Sequence, residues 1–258
     1  MYNLLHSLLA DKKGGEIFTL FSIPHFFYIS VTVIAVALTV LLLRKKSLKM
    51  RVKITRAIGN TGFGLYILDF FLMPLAYGEI DIEKLPFHAC TASCVMCFIA
   101  SRVSFLQKYR GPFILLALIS NTVYLIYPAG VMWHAVHPLS YRVIQTLIFH
   151  SLMTVFGILS LVYENELFSF KTWHRNLTAT VSLTLWALLG NFLYNGESDG
   201  YAHFFNWFFV VRDPFYAIPE GIAPFVMPFL NTVLFFGAAT LAQAAALCIN
   251  KCNKTTRA

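Results

Sequence analysis

Seven apolar stretches recur along the chain, near residues 23–43, 57–77, 86–106, 112–128, 142–162, 177–195 and 223–249, with short polar connections between them. Each is long enough, or nearly so, to cross about 30 Å of hydrocarbon as a helix. Composition agrees, since only 12% of the residues are charged and 58% are hydrophobic, against about 25% charged in a soluble domain. The expected fold is therefore all-α: a polytopic membrane protein, a bundle of seven transmembrane helices forming a single domain over residues 1–258. Residues 1–21 are too polar to span. Leu4, Leu5, Leu8 and Leu9 recur there at helical spacing, which predicts a short amphipathic helix on the outer surface. Met1–Leu9 has neither a basic start nor a small-residue cleavage site, so the first span is expected to serve as its own insertion signal.

Charge sets the expected orientation. Of the 20 basic residues, those following spans one, three, five and seven (Arg44, Lys45, Lys46, Lys49, Arg51, Lys53, Arg56, Arg102, Lys108, Arg110, Lys171, Arg175, Lys251, Lys254 and Arg257) outnumber those on the other side (Lys12, Lys13, Lys84, Arg142 and Arg212). By the positive-inside rule the first side is cytoplasmic, which puts the N-terminus outside and the C-terminus inside, at the plasma membrane. The net charge of +8 is then a topology signal. The run "RKKSLKMRVKITR" lies beside a span, where anionic headgroups are the nearer counter-charge, so no nucleic-acid partner is expected.

Ionisable groups inside spans are costly and face a bundle interior, so each is a functional candidate. At about 1.5 Å per residue, Asp69 lies roughly 13 Å below the outer end of its span, Cys90 roughly 7 Å and His150 about 12 Å. His88 is shallower, Asn191 and Asn195 close the outer end of span six, and His25 stands at the outer mouth of span one. Two aromatic- and histidine-rich outer loops, "PAGVMWHAVHP" and "NGESDGYAHFFNWFFVVRDPFY", could cover this polar cluster. An aromatic-lined pocket open to the outer leaflet suits a membrane phospholipid or another acyl lipid.

Five readings compete for these residues. Cys90, Cys94 and Cys97 match the C-x3-C-x2-C spacing of an iron–sulfur site, but on a helix they form one small-residue stripe continued by Ser101 and Ser104, a packing face. His134 and His137, at i and i+3, are an alternative metal pair that Asp69, His88 and His150 could complete as a zinc site for a membrane lipid hydrolase; paired histidines could also hold haem. A transporter or receptor would use the same polar cluster as ligand contacts. Cys90 with His150 is the preferred pair, because an imidazole makes a thiol nucleophilic and Asp69 could orient that ring. His88 points away from Cys90, two residues along one helix. No cofactor is expected for thioester chemistry.

The motifs "FTLFSIPHF", "LPFHAC", "LIFHSLM" and "NFLYN…NWFFVVRDP" run in this order from about residue 18 to 216. In them the chain resembles the transmembrane protein 164 family, seven-span proteins whose animal member is described as a phospholipid acyltransferase acting through a cysteine thioester. The resemblance implies that Cys90 is the acyl-accepting cysteine and His150 the histidine of the fifth span, with His88, Asn191 and Asn206 at other polar positions of the pattern. Thr91 stands where bacterial relatives tend to carry an acidic residue, and Trp207 where a tyrosine is more usual. The expected activity is an acyl-lipid acyltransferase or hydrolase, with His88, Asn191, Asn195, Asn206 and His25 binding substrate or donating to the oxyanion.

Overall fold

A computed structural model describes residues 2–12, 15–78, 81–132, 135–198 and 201–255. Among the described residues the chain is helical: α1 (Tyr2–Leu9), α2 (Ile23–Leu43), α3 (Leu48–Tyr77), α4 (Ala89–Ala100), α5 (Arg110–Ile126), α6 (Ala129–Met132), α7 (Tyr141–Tyr163), α8 (Trp173–Tyr194) and α9 (Ala223–Thr255). One short antiparallel hairpin, β1 (Gly196–Ser198) and β2 (Tyr201–His203), follows α8, with Gly196 opposite His203. The helices fall into two compact units, residues 1–84 with 120–164 and residues 85–119 with 165–258, so that the division falls within α5 and just after α7.

Among the described residues five stretches are long and apolar enough to cross a membrane: Ile23–Leu43, Ser104–Met132, Tyr141–Tyr163, Phe170–Tyr194 and Ala223–Cys248. The second expected span lies within α3, which begins at Leu48 and carries Lys49, Arg51, Lys53 and Arg56 in its first turns. The third expected span, 86–106, holds a shorter helix than its apolar run. Its helix α4 has 12 residues and stops at Ala100, because Ser101 Oγ and Arg102 Nη1 both donate back to the Phe98 carbonyl and Val103 turns extended. The small-residue stripe ends there as well. Cys90, Cys94 and Cys97 are buried, whereas Ser101 and Ser104 are exposed.

In the first unit α3 packs on α7 at glycine. A Cβ on Gly59 would come within 2.7 Å of the Phe156 ring, so only glycine lets the two helices approach this closely. At one end of the unit, Phe18 N–H donates to the Val136 carbonyl at 2.9 Å and Lys12 N–H to Ser140 Oγ at 3.1 Å. Arg142 there pairs with Asp11 at 3.2 Å and Asp81 at 3.4 Å. Phe18, Leu125, Val131, Val136, Val143 and Leu147 form the apolar core beneath. At the opposite end Arg56 donates twice to Glu164 Oε2, at 2.8 and 2.9 Å, and Leu43 packs with Leu159 and Tyr163. Successive connections of this unit therefore alternate between two ends, as consecutive membrane crossings require. In α1, Leu4 and Leu8 are exposed while Leu9 is buried.

In the second unit α8 and α9 pair along their length through buried polar groups, which hydrocarbon favours as interhelical contacts. Asn176 Nδ2 donates to Gln243 Oε1 at 2.5 Å, and the Thr184 and Thr232 hydroxyls meet at 2.9 Å. The start of α4 is fixed against α8 by Trp186 Nε1, which donates to the Pro86 carbonyl at 2.7 Å. Phe87 lies where Gly190 leaves room for it; a Cβ at Gly190 would meet the Phe87 ring at 2.5 Å.

Candidate functional site

Cys90 occupies the first turn of α4, two positions after His88, the N-cap residue with extended backbone. The first N–H groups of a helix have no intrahelical acceptor and carry the positive end of the macrodipole. A sulfur placed there sits where negative charge is favoured. Cys90 is 8% exposed, and its own carbonyl accepts from Ser93 Oγ at 3.1 Å. The His88 carbonyl accepts from Ala92 N–H at 2.8 Å and from Thr91 Oγ1 at 3.2 Å, so Thr91 tightens the same first turn.

An aromatic box borders that turn. Phe87 stacks on Trp186 with centroids 5.0 Å apart and meets Trp207 at 4.9 Å and Tyr194 at 5.9 Å, while Phe205 lies flat on Trp207 at 4.5 Å. The loop from Phe204 to Ile218 is held by amides. Asn191 donates to the carbonyls of Ala187 and Trp207 and accepts from Trp207 N–H. Asn195 grips Phe205 N–H and C=O in the same way. Asn206 donates to the Arg212 carbonyl and accepts from the N–H groups of Val211 and Arg212. Asn231 donates to the carbonyls of Phe208 and Phe209 at 2.9 and 2.8 Å. Those two residues adopt φ of 57° and 52°, a left-handed backbone costing about 1–3 kcal/mol each outside glycine.

Asn191, Asn195 and Asn206 were expected to bind substrate or donate to an oxyanion; in the structure they bond to backbone. A carboxamide has two N–H donors, and Asn191 uses both on backbone carbonyls, leaving none for a substrate oxygen. Asn195 and Asn206 likewise face loop backbone; all three position the loop. Asn231, which the sequence reading passed over, belongs with them, and its signal was the same as theirs: an amide inside an apolar span. Asp213 closes the loop by accepting from the N–H groups of Phe215, Ala217 and Ile218. The Phe215 N–H, followed by those of Ile218 and Ala217, holds its carboxyl below the usual carboxylate range.

The first unit places the remaining candidates. His150, 4% exposed on α7, donates from Nδ1 to the Thr146 carbonyl at 2.6 Å, which makes Nε2 the acceptor nitrogen of the ring. Tyr124 stacks flat on the imidazole at 3.8 Å and 11°. Asp69, 2% exposed, is ion-paired with Lys84 Nζ at 2.7 Å; Tyr66 Oη anchors the Lys84 carbonyl at 2.9 Å, and the Tyr141 phenol also engages Asp69. Lys84 is thus the observed partner of a carboxylate expected to orient a histidine. His25 is fully buried, accepting from Phe21 N–H at Nδ1 and donating from Nε2 to the Leu125 carbonyl. Both ring nitrogens join backbone to backbone, so it ties α2 to α5. His137 Nδ1 accepts from Leu139 N–H; His134 lies outside the described residues. Among the described residues no group of three or more His, Cys, Asp or Glu is arranged to hold a metal ion.

Long apolar helices, polar groups buried between them and an aromatic-rich loop at their ends define a helical membrane protein. The chain belongs to the TMEM164 family, whose model matches residues 20–245. No curated protein and no solved structure matches it.

Proposed function

We propose that the protein is an acyl-lipid acyltransferase or hydrolase working through a Cys90 thioester. The observation that carries the reading is the place of Cys90, a buried thiol in the first turn of α4, at the positive end of the helix dipole. His150, with Nε2 as its acceptor nitrogen, takes the thiol proton. The thiolate attacks the ester carbonyl carbon, forming the C–S bond while the carbonyl electron pair moves onto oxygen. Collapse re-forms C=O and breaks the C–O bond, and the leaving alkoxide takes the proton back from His150. Water or a second lipid alcohol then receives the acyl group by the same steps in reverse. Asp69, balanced by Lys84, contributes fixed charge on the His150 side of the chemistry, and His88 lies at the mouth.

The same reading takes the molecule as seven spans in the plasma membrane, with the N-terminus outside and a membrane phospholipid as acyl donor. Its support is the excess of basic residues after the odd-numbered spans and the alternation of connections in the first unit. Incubating purified protein with phospholipid and measuring intact mass tests the chemistry. The expected result is a hydroxylamine-sensitive acyl adduct, lost in Cys90→Ser and slowed by roughly 100-fold or more in His150→Ala. No adduct on wild type, with lipid turnover unchanged in Cys90→Ser, would falsify the nucleophile assignment.

A further inference from the structure

The Trp207 indole is 1% exposed, and its Nε1–H has no hydrogen-bond partner among the described residues. Buried donors are nearly always satisfied in native proteins, and an exception calls for an explanation. Everything else about this ring is fixed. Asn191 holds its backbone on both sides, Phe205 and Phe87 pack its faces, and the next two residues carry the left-handed backbone that Asn231 secures. Strain and an unsatisfied donor in one place are the signature of a site preorganised for a ligand. Phe87, which touches the indole, enters α4 three residues before Cys90. One aromatic ring therefore separates the indole from the turn that carries the thiol.

We propose that Trp207 Nε1–H donates to the carbonyl oxygen of an acyl ester lodged against the aromatic box; this rests on the acyl-ester reading above. The ligand class follows from the surroundings. A single neutral donor walled by Phe87, Tyr194 and Phe205 suits a neutral acceptor, whereas a phosphate or carboxylate would need several donors or a cation to leave water. Trp207 is on this basis a substrate-binding residue of the loop, its N–H placed for an ester oxygen.

The test uses the full chain, uniformly 15N-labelled at tryptophan, in an alkyl maltoside that contains no ester. The chain has four tryptophans, so the indole resonance of Trp207 is assigned by elimination with Trp133→Phe, Trp173→Phe and Trp186→Phe, without requiring Trp207→Phe to fold. In the Cys90→Ser background, short-chain diacyl phosphatidylcholine is expected to move that resonance downfield. The dialkyl ether analogue, which lacks the carbonyls, leaves it in place. In the wild-type background Trp207→Phe is expected to slow acyl-adduct formation roughly 10- to 100-fold. A resonance indifferent to the ester lipid overturns the proposal even if Cys90 is acylated. One also shifted upfield identifies the Tyr194 ring, which crosses the indole at 85°, as its partner. A shift with ester lipid in a protein that never forms an adduct keeps the carbonyl donor and removes the nucleophile, which separates this proposal from the thioester reading.

Discussion

Replacing Gly190 with alanine tests how the start of α4 is held. The added Cβ would lie 2.5 Å from two atoms of the Phe87 ring and 2.9 Å from a third. Carbon atoms rest about 3.5–4.0 Å apart, so the ring or the helix must shift by about 1 Å or more. Phe87 has little freedom to move, being 6% exposed and packed against Trp186, Tyr194 and Trp207. Overpacking of a core this constrained costs about 1–3 kcal/mol. The matched control is Gly237→Ala in α9, whose Cβ meets nothing within 4 Å. Both substitutions gain about 1 kcal/mol of helix propensity, so the difference between the two variants is the strain alone. At roughly 2–4 °C per kcal/mol for a chain of this size, the unfolding midpoint of Gly190→Ala should fall several degrees below that of Gly237→Ala, measured by fluorescence-detected size exclusion after heating. The same shift moves the first turn of α4, so Cys90 should lose acylation rate in Gly190→Ala and keep it in Gly237→Ala. Equal midpoints and equal acylation in the two variants would refute the view that the Phe87–Gly190 contact sets the position of the thiol.

Asn191→Ala leaves the Trp207 N–H buried without its partner, at about 1–3 kcal/mol, while the Trp207 carbonyl keeps Val210 N–H at 3.4 Å; protease cleavage within the Phe204–Ile218 loop should accelerate while α2 and α3 stay resistant. Lys84→Met strands the Asp69 carboxylate and should destabilise by about 3–5 kcal/mol, with Asp69→Asn in the same chain recovering most of the loss. If that refolded double variant also recovers acylation, the Asp69 charge is structural, and if it stays inactive the charge takes part in the chemistry. The Asp213 carboxyl is held low in the folded chain, so its contribution is complete above about pH 3.9, the ordinary aspartate value, and is lost as pH falls through the lowered one. Loop proteolysis by an acid-stable protease should therefore rise only below that range, and Asp213→Asn should show the raised rate at every pH.

The helices with clear ends were legible in the residues. The apolar run 23–43 is a helix over Ile23–Leu43, and 142–162 lies within Tyr141–Tyr163, because each run stops at polar residues that hydropathy also sees. The end of α4 was hidden, since Val103, Phe105 and Leu106 continue the apolar composition past the point where Ser101 and Arg102 turn back on Phe98. The candidate site divides the same way. Burial of Asp69, Cys90 and His150 follows from an ionisable or thiol group inside a span. The work of Asn191, Asn195 and Asn206 does not, because residue type and depth say that an amide is present but not which carbonyl takes its hydrogens. For Asn191 that carbonyl belongs to Trp207, 16 residues on, and only the folded loop brings it near. His25 is the converse case: its depth marked it, and in the fold its ring joins the turn before α2 to the Leu125 carbonyl of α5.

Twelve residues of α-helix cover about 18 Å, well short of the hydrocarbon thickness. A crossing built on α4 must be completed by non-helical chain at its ends, and a short hydrophobic element is accommodated by local thinning of the bilayer. On the proposed thioester reading, such thinning would bring the headgroup and glycerol layers toward the first turn of α4, and with them the ester bonds that Cys90 is to attack. Turnover should then track acyl length of the host membrane, falling as reconstitution moves from short-chain to long-chain phosphatidylcholine, even where the substrate lipid is held constant.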